Sequence, residues 1–226
     1  DSEGSLFNAK FGFNLSEIDR LKLSLNYTDQ PKSQDPGGIN LSQVNTDRKS
    51  ARDRNLSYDA GESLNQKRIG LVYERDHSDG LLTVRNYYVT RDFSNKLPFK
   101  NGGSVNIDRE FYGFGMQYQF GESLPENFSL TTGFDTDRQD DDRKRFNNDS
   151  GKLGSMSFDQ QEKVNSNGLF VQSRYDVGNW SISSGIRYDE VKFDITDRFL
   201  SNGDDSGEIE FDAVSPSFGL NYVMEN

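Results

Sequence analysis

Hydrophobic and polar positions alternate along most of this chain, and the pattern is clearest between Gly168 and Asp189. From Trp180 onward, every second residue belongs to an apolar face, and the residues between them form a polar face. The apolar face holds Trp180, Ile182, Ser184, Ile186 and Tyr188, and the polar face holds Ser181, Ser183, Gly185, Arg187 and Asp189. A period of two residues predicts a β-strand. A short connection at Val177–Asn179 joins it to a similar strand before it, which predicts an antiparallel hairpin.

The apolar face of this hairpin ends in aromatic residues, Tyr175 and Trp180, on either side of the tight turn. Strands of membrane β-barrels have this layout, with lipid-facing apolar residues, an aromatic girdle and a wet, polar interior. We therefore expect a strand that crosses a membrane.

The same alternation recurs along the chain and predicts about nine strands, each roughly ten residues long, the length needed by a tilted membrane-crossing strand. The connections alternate between short and long. The short ones are Asn14–Asp19, His77–Gly80, Gly121–Glu126 and Val177–Asn179, and the long ones are Asp29–Asn65, Asp92–Ile107, Asp135–Val164 and Thr196–Glu208. Outer-membrane barrels have short periplasmic turns and long extracellular loops. The sequence thus predicts an all-β, antiparallel, up-and-down transmembrane β-barrel arrangement.

The composition narrows the function classes. The 226 residues carry a net charge of −11, so nucleic acid is not expected as a partner, because phosphate contacts need clustered Lys and Arg. Cysteine is absent, so neither a disulfide framework nor a thiolate metal site is predicted. Hydrophobic residues make up 32% and aromatic residues 12%, a mixture that suits a polar-lumen barrel with long loops. No apolar run is long enough for a membrane-spanning helix.

Several short motifs resemble the central barrel of TonB-dependent outer-membrane receptors. In that family a G-x-F-x-Q strand precedes a turn with Gly and Trp, a strand ending in G-x-R-x-D, and a strand containing S-P-x-x-G. The matching positions here are Gly168, Phe170, Gln172, Gly178, Trp180, Gly185, Arg187, Asp189, Ser215, Pro216 and Gly219. They cover about a quarter of the chain, and the rest agrees in strand length and loop alternation.

The resemblance implies a barrel of about 22 strands with a globular plug. About nine strands are predicted here, and neither a plug nor the motif that contacts the energising partner is recognised. The chain opens at Asp1 without a signal peptide and ends at Asn226 without a terminal aromatic residue. We therefore expect residues 1–226 to be a partial receptor barrel from the middle of a longer protein, because a nine-stranded sheet has two open edges that hydrocarbon does not tolerate.

The resemblance also implies a location in the bacterial outer membrane and active import of a scarce nutrient, commonly a ferric siderophore. The implied partners are outer-membrane lipid and lipopolysaccharide, a small-molecule ligand, and the TonB complex, which would act only through a plug. Two alternatives stay open: a passive outer-membrane channel or adhesin barrel, and a soluble all-β binding module. Compact, monomeric behaviour without detergent would favour the soluble module.

Candidate ligand contacts are chosen among aromatic and cationic residues of the predicted extracellular loops, since these groups suit an anionic iron chelate. They are Arg52, Arg54, Tyr58, Phe93, Phe99, Arg143, Arg145 and Phe146. Arg187 and Asp189 are expected to face the lumen, where a structural ion pair is favoured over a place on the substrate path.

Enzymatic activity and bound cofactors are not expected. The only histidine, His77, lies in a predicted tight turn beside Ser78 and Asp79, and three adjacent residues cannot converge as a catalytic triad. The acidic stretch Asp135–Arg145 does not match a calcium-binding EF-hand loop, and its interleaved cations indicate a solvated loop.

Overall fold

The computed structural model describes residues 1–121 and 124–224, in which nine strands form a single antiparallel sheet. Each strand pairs with the strand before it and the strand after it in the sequence, so the sheet follows the chain order without crossovers. The strands are β1 (Ser2–Asn14), β2 (Asp19–Gln34), β3 (Gly61–His77), β4 (Gly80–Lys96), β5 (Ser104–Phe120), β6 (Phe128–Asp149), β7 (Lys152–Val177), β8 (Trp180–Asp197) and β9 (Gly207–Tyr222). The predicted all-β class, antiparallel order and strand number are confirmed.

Short connections lie at one end of the sheet, as predicted. The β3–β4 turn contains only Ser78 and Asp79, and the β7–β8 turn contains only Gly178 and Asn179. Gly178 has φ +56°, a conformation that glycine adopts at little cost. The predicted Gly121–Glu126 connection includes residues 122 and 123, which lie outside the described residues.

The long predicted loops are shorter than expected, because the strands extend into them. The clearest error is Asp135–Val164, which is not a solvated loop but the paired upper halves of β6 and β7, strands of 22 and 26 residues. This segment is polar on both faces, so hydrophobic alternation gives no signal there, although the backbone ladder continues. Its only turn is Ser150–Gly151, where both residues have positive φ, 52° and 88°. Two such residues are typical of a type I′ hairpin turn.

The β2–β3 connection, residues 35–60, contains two short helices, α1 (Leu41–Thr46) and α2 (Asp53–Ser57), where the sequence predicted only a loop. A capping box explains why α1 forms: the Asn40 side chain accepts a hydrogen bond from the Gln43 amide, and the Gln43 side chain accepts one from the Asn40 amide. Among the residues that the structure describes, no helix is long and apolar enough to cross a membrane.

The two faces of the sheet differ sharply in exposure. Apolar side chains on one face are open to the surroundings, for example Leu169 at 61% and Phe218 at 76% exposure. On the other face, the buried side chains of strand residues are polar: Thr83, Asp141, Gln160 and Asp197. Among the described residues, Ala60 is the only buried hydrophobic residue. The sheet therefore has no apolar core of its own.

Candidate functional site

Four arginines gather on the polar face, near the end of the sheet that carries the long connections. Arg91 of β4 is directly opposite Arg109 of β5, and Arg109 is directly opposite Asp141 of β6. Arg143 and Arg145 follow Asp141 on the same face, because successive side chains of a strand alternate between faces. Neighbouring strands lie about 5 Å apart, so these guanidinium groups share one small area.

Arg143 and Arg145 both pack on the ring of Phe158 in β7. Their guanidinium carbons lie 5.7 and 5.5 Å from the ring centroid, within the range of a cation–π contact. Arg143 also donates to Glu162 at 3.2 Å. The Nε atoms of both arginines are buried and have no hydrogen-bond partner in the described chain. Phe158 thus holds two guanidinium groups whose donors are incompletely used.

Arg109 donates two hydrogen bonds to Asp141, whereas Arg145 bonds to no carboxylate in the described chain. The Nε atom of Arg109 lies 2.7 Å from its acceptor, and Asp141 is only 1% exposed. Within the described residues, Arg91 and Arg145 make no ion pair with a carboxylate. The patch therefore keeps a net positive character.

Phe93 of β4 and Ile107 of β5 add apolar surface to the same patch. They are directly opposite one another, and Ile107 is directly opposite Arg143. We name the patch the arginine face and define it as Arg91, Phe93, Ile107, Arg109, Arg143, Arg145 and Phe158. Cationic forks beside apolar and aromatic groups suit an anionic molecule with a partly apolar body.

A second polar cluster lies further down the same face, around Asp135 of β6. Arg85 donates to one carboxylate oxygen of Asp135 at 3.0 Å, and Arg187 donates to the other at 3.1 Å. Arg187 also donates to Asp189 at 2.8 Å. The ion pair predicted between Arg187 and Asp189 is therefore present, and Asp135 extends it across the sheet.

Glycines make these long contacts possible. Arg85 reaches Asp135 across Gly115 of β5, and Arg187 reaches Asp135 across Gly168 of β7. A Cβ atom on Gly168 would lie 2.1 Å from the Arg187 guanidinium, so a side chain would displace it. Gly113 has the same role between Tyr87 and Asp137, whose side chains form a short hydrogen bond.

The structure brings together only part of the predicted ligand set. Arg143 and Arg145 share the arginine face with Phe93, but all three lie in strands, so their predicted placement in loops is wrong. Phe146 also lies in β6, where the alternation turns it away from Arg145.

The remaining candidates lie in connections, as predicted. Arg52 and Arg54 are exposed residues beside and within α2, and Tyr58 follows that helix. Phe99 lies between β4 and β5, with 40% of its surface exposed. Within the described residues, no hydrogen bond or ion pair joins Arg52 or Arg54 to the arginine face.

Sequence reasoning missed Arg91, Arg109 and Phe158. Strand pairing supplies the missing information, because Arg91 and Arg109 become neighbours only when β4 and β5 are in register. A signal was nevertheless present: Arg109, Phe111 and Gly113 are spaced in twos, so Arg109 could have been assigned to the polar face of β5.

The acidic stretch in β6 is divided between the two faces. Asp135, Asp137 and Asp141 lie on the polar face, and Asp140 and Asp142 lie on the opposite face. Across residues 1–121 and 124–224, no group of three carboxylates or other typical ligands is placed to hold a metal ion. The geometry instead offers cationic and aromatic contacts.

Comparison with known proteins decides the family. The sequence model described as "TonB dependent receptor-like, beta-barrel" matches residues 7–225, nearly the whole chain. The chain belongs to the TonB-dependent receptor β-barrel family.

Solved structures share the receptor-barrel fold. The ferric citrate transporter FecA in its unliganded form has a TM-score of 0.76 and 16% identity, and the match covers 100% of this chain and 34% of FecA. The ferric yersiniabactin uptake receptor FyuA from Yersinia pestis has a TM-score of 0.72 and 11% identity, with 100% and 36% covered. The alcaligin receptor FauA from Bordetella pertussis has a TM-score of 0.69 and 11% identity, with 100% and 34% covered. This chain therefore spans about a third of each of these structures.

The fold match indicates which side of a receptor barrel each face of the sheet corresponds to. In outer-membrane barrels the apolar band faces lipid and the polar residues face the lumen. The arginine face and the Asp135 cluster therefore lie on the face of the sheet that corresponds to the lumen side of such barrels. The arginine face lies toward the long connections, which are extracellular in such barrels.

Proposed function

We propose that this chain is an arc of an outer-membrane receptor barrel that imports an anionic metal chelate, such as a ferric siderophore. The observation that carries the proposal is the arginine face. It places Arg143 and Arg145 beside Phe158, with buried Nε donors that have no partner in the described chain. A buried donor without a partner is costly, so a ligand that supplies an acceptor gains binding free energy there.

Proteins of similar structure support this ligand class. They include a ferric citrate transporter, an alcaligin receptor and a ferric yersiniabactin uptake receptor. A copper transporter is also similar in fold, so the metal itself is left open. The arginine face recognises the negative charge of a chelate and not the metal ion, because it offers cations and no carboxylate group placed for a metal.

The proposal includes the rest of the protein. We place the remaining strands, a plug and the contact with the TonB complex in the same longer polypeptide, since this chain corresponds to about a third of the similar receptors. The apolar outward face contacts membrane lipid, and the strand ends above it contact lipopolysaccharide. Arg52, Arg54, Tyr58, Phe93, Phe99 and Phe146 stay predicted ligand contacts.

Uptake by the whole receptor tests the proposal. Cells that express it under iron limitation are given radiolabelled ferric citrate, ferric yersiniabactin or a ferric catecholate. We expect saturable uptake of at least one chelate, and we expect the Arg143→Gln/Arg145→Gln double variant to weaken its binding by about tenfold or more, because charge-assisted hydrogen bonds contribute roughly 1.5–3 kcal/mol each.

Lys144→Gln is the matched control. Lys144 lies between the two arginines in sequence but on the opposite face of β6, so its replacement removes a positive charge from the same segment without touching the arginine face. Equal loss in both variants, or unchanged binding in the double variant, would contradict the role of the arginine face. Uptake that continues without TonB would favour the passive channel.

A further inference from the structure

Three connections at the extracellular end of the sheet meet at one asparagine, Asn148, near the end of β6. Its side chain is completely buried, although most of its neighbours in the hairpin are exposed or half-buried. Ala60, the only buried hydrophobic residue that the structure describes, lies in the connection that Asn148 contacts. The extracellular end of the sheet therefore has a small buried region of its own.

Asn148 uses every polar atom of its side chain. Nδ2 donates to the carbonyl oxygen of Tyr58 at 2.9 Å and to that of Leu97 at 3.0 Å. Oδ1 accepts from the amide of Gly151 at 2.7 Å. The pattern also fixes the orientation of the amide group, because a flipped group would point its oxygen at two carbonyl oxygens. One side chain thus joins the β2–β3 connection, the β4–β5 connection and the β6–β7 turn.

Three further hydrogen bonds hold this region together. The amide of Asn148 donates to the carbonyl oxygen of Lys100 at 2.8 Å. Lys96 Nζ donates to Asp59 at 2.7 Å and to the carbonyl oxygen of Gly151 at 2.9 Å. We call this set the loop junction: Tyr58, Asp59, Lys96, Leu97, Lys100, Asn148 and Gly151.

We propose that the loop junction makes the three connections a single rigid unit, with Asn148 as its positioning residue. Asn148 lies three residues beyond Arg145 on β6, so the junction fixes the β2–β3 connection relative to the arginine face. Separate movement of the β2–β3 connection would break the hydrogen bond from Asn148 Nδ2 to the Tyr58 carbonyl oxygen and leave one donor of a completely buried side chain without a partner, which is costly. This inference concerns stability alone and does not depend on the proposed ligand.

Hydrogen exchange in the whole receptor, purified in detergent, tests the proposal. In the unchanged receptor we expect peptides covering residues 35–60 and 97–103 to exchange slowly and with similar free energies of local opening. In the Asn148→Ala variant we expect exchange in both segments to accelerate by about tenfold or more, because the remaining partners lose their buried hydrogen bonds. Peptides from the centres of β2 and β3 should exchange at the same rate in both proteins.

The matched control is Asn147→Ala. Asn147 is the neighbouring asparagine, and its side chain contacts the Gly102 amide and Ser155 instead of the loop junction. We expect it to leave exchange in residues 35–60 unchanged. Acceleration confined to the β6–β7 turn in the Asn148→Ala variant, or equal acceleration in both variants, would overturn the proposal.

A second variant keeps the test decisive if Asn148→Ala does not fold. Lys96→Met keeps the bulk of the side chain and the Asn148 contacts but removes the bonds to Asp59 and Gly151. We expect a smaller acceleration of exchange, about threefold or more, in residues 35–60 and in the β6–β7 turn together. The effect is smaller because the Asn148 hydrogen bonds remain and only those of Lys96 are lost. Unchanged exchange in both segments would overturn the proposal.

Discussion

At the scale of single residues, Asp135 of β6 accepts from both Arg85 of β4 and Arg187 of β8, and so joins three strands of the polar face. The Asp135→Asn variant keeps the shape but leaves two guanidinium groups without their shared charge. All three side chains are partly exposed to solvent, at 26–47%, so we expect a loss of only about 1 kcal/mol in the free energy of unfolding. Urea unfolding of the receptor in lipid vesicles measures this loss in the free energy of unfolding.

Asp92→Asn is the control for this variant. Asp92 lies on the outward face of β4, and within the described residues it makes no ion pair. Its neutralisation should change the free energy of unfolding by less than about 0.5 kcal/mol. A loss as large as that of Asp135→Asn would show that general charge, and not the pairing at Asp135, is responsible.

Gly168 tests the role of glycine in the same cluster. The Gly168→Val variant should force the Arg187 guanidinium away from Asp135 and Asp189, because a Cβ atom there would lie 2.1 Å from it. We expect a loss of about 1–2 kcal/mol in the free energy of unfolding. Gly12→Val is matched, since Gly12 also lies on the polar face of a strand but has open space around its Cβ position. Stability that is equal in the two variants would contradict the crowding argument.

Single residues also show where sequence reasoning succeeds. Arg187 and Asp189 were assigned correctly to one face because their strand alternates cleanly with apolar residues. Arg143 and Arg145 were chosen for their chemistry but placed in a loop, since upper β6 has no regular alternation of apolar and polar residues. Their contact with Phe158 depends on the register of β6 and β7, which cannot be read from the sequence alone.

At the scale of elements, the Ser150–Gly151 turn controls the longest hairpin. Ser150 has φ 52°, which asparagine tolerates better than serine and which a β-branched residue tolerates poorly. We expect Ser150→Asn to stabilise the turn by up to about 1 kcal/mol and Ser150→Val to destabilise it by at least as much. Hydrogen exchange of the peptide spanning residues 146–156 measures both. A change of the same sign in both variants would argue against a type I′ turn.

The strands were predictable only where one face is apolar. In the lower part of β8, apolar residues on one face alternate with polar residues on the other, and its start at Trp180 was predicted correctly. In the upper halves of β6 and β7, polar residues dominate both faces, so the ladder of backbone hydrogen bonds continues without a hydrophobic pattern. The capped helix α1 was likewise predicted as loop, because none of its residues is buried and no apolar pattern marks it.

The outward face of β8 gives a second test at this scale. Ile186 is 53% exposed at the centre of the apolar stripe, where lipid is expected. We expect Ile186→Arg to cost about 2–4 kcal/mol when the receptor folds into lipid vesicles. Gln172→Arg places the same side chain on the polar face of β7 and should cost less than about 1 kcal/mol. Equal costs would mean that the two faces do not meet different media.

At the scale of the whole molecule, the sheet has two open edges, because β1 pairs only with β2 and β9 only with β8 in the described residues. Open edges carry unpaired backbone groups that favour association. We expect the isolated 226-residue chain, refolded in detergent, to form oligomers in analytical ultracentrifugation. The whole receptor, with its additional strands, should be monomeric under the same conditions. A monodisperse 25.7 kDa species would show that the edges close on each other or are shielded.

The absence of a buried apolar interior, with Ala60 as the only covered hydrophobic residue among those described, has a calorimetric consequence. The heat capacity of a soluble domain rises on unfolding mainly because apolar surface that was hidden becomes hydrated. This sheet already presents its apolar surface outward, so in an outer-membrane barrel the bilayer, and not the protein, would cover that surface. Unfolding that leaves the chain associated with lipid should therefore change the heat capacity much less, per residue, than the roughly 12–15 cal/mol/K of soluble domains. The curvature of the free energy of unfolding against temperature then depends on the lipid as much as on the chain.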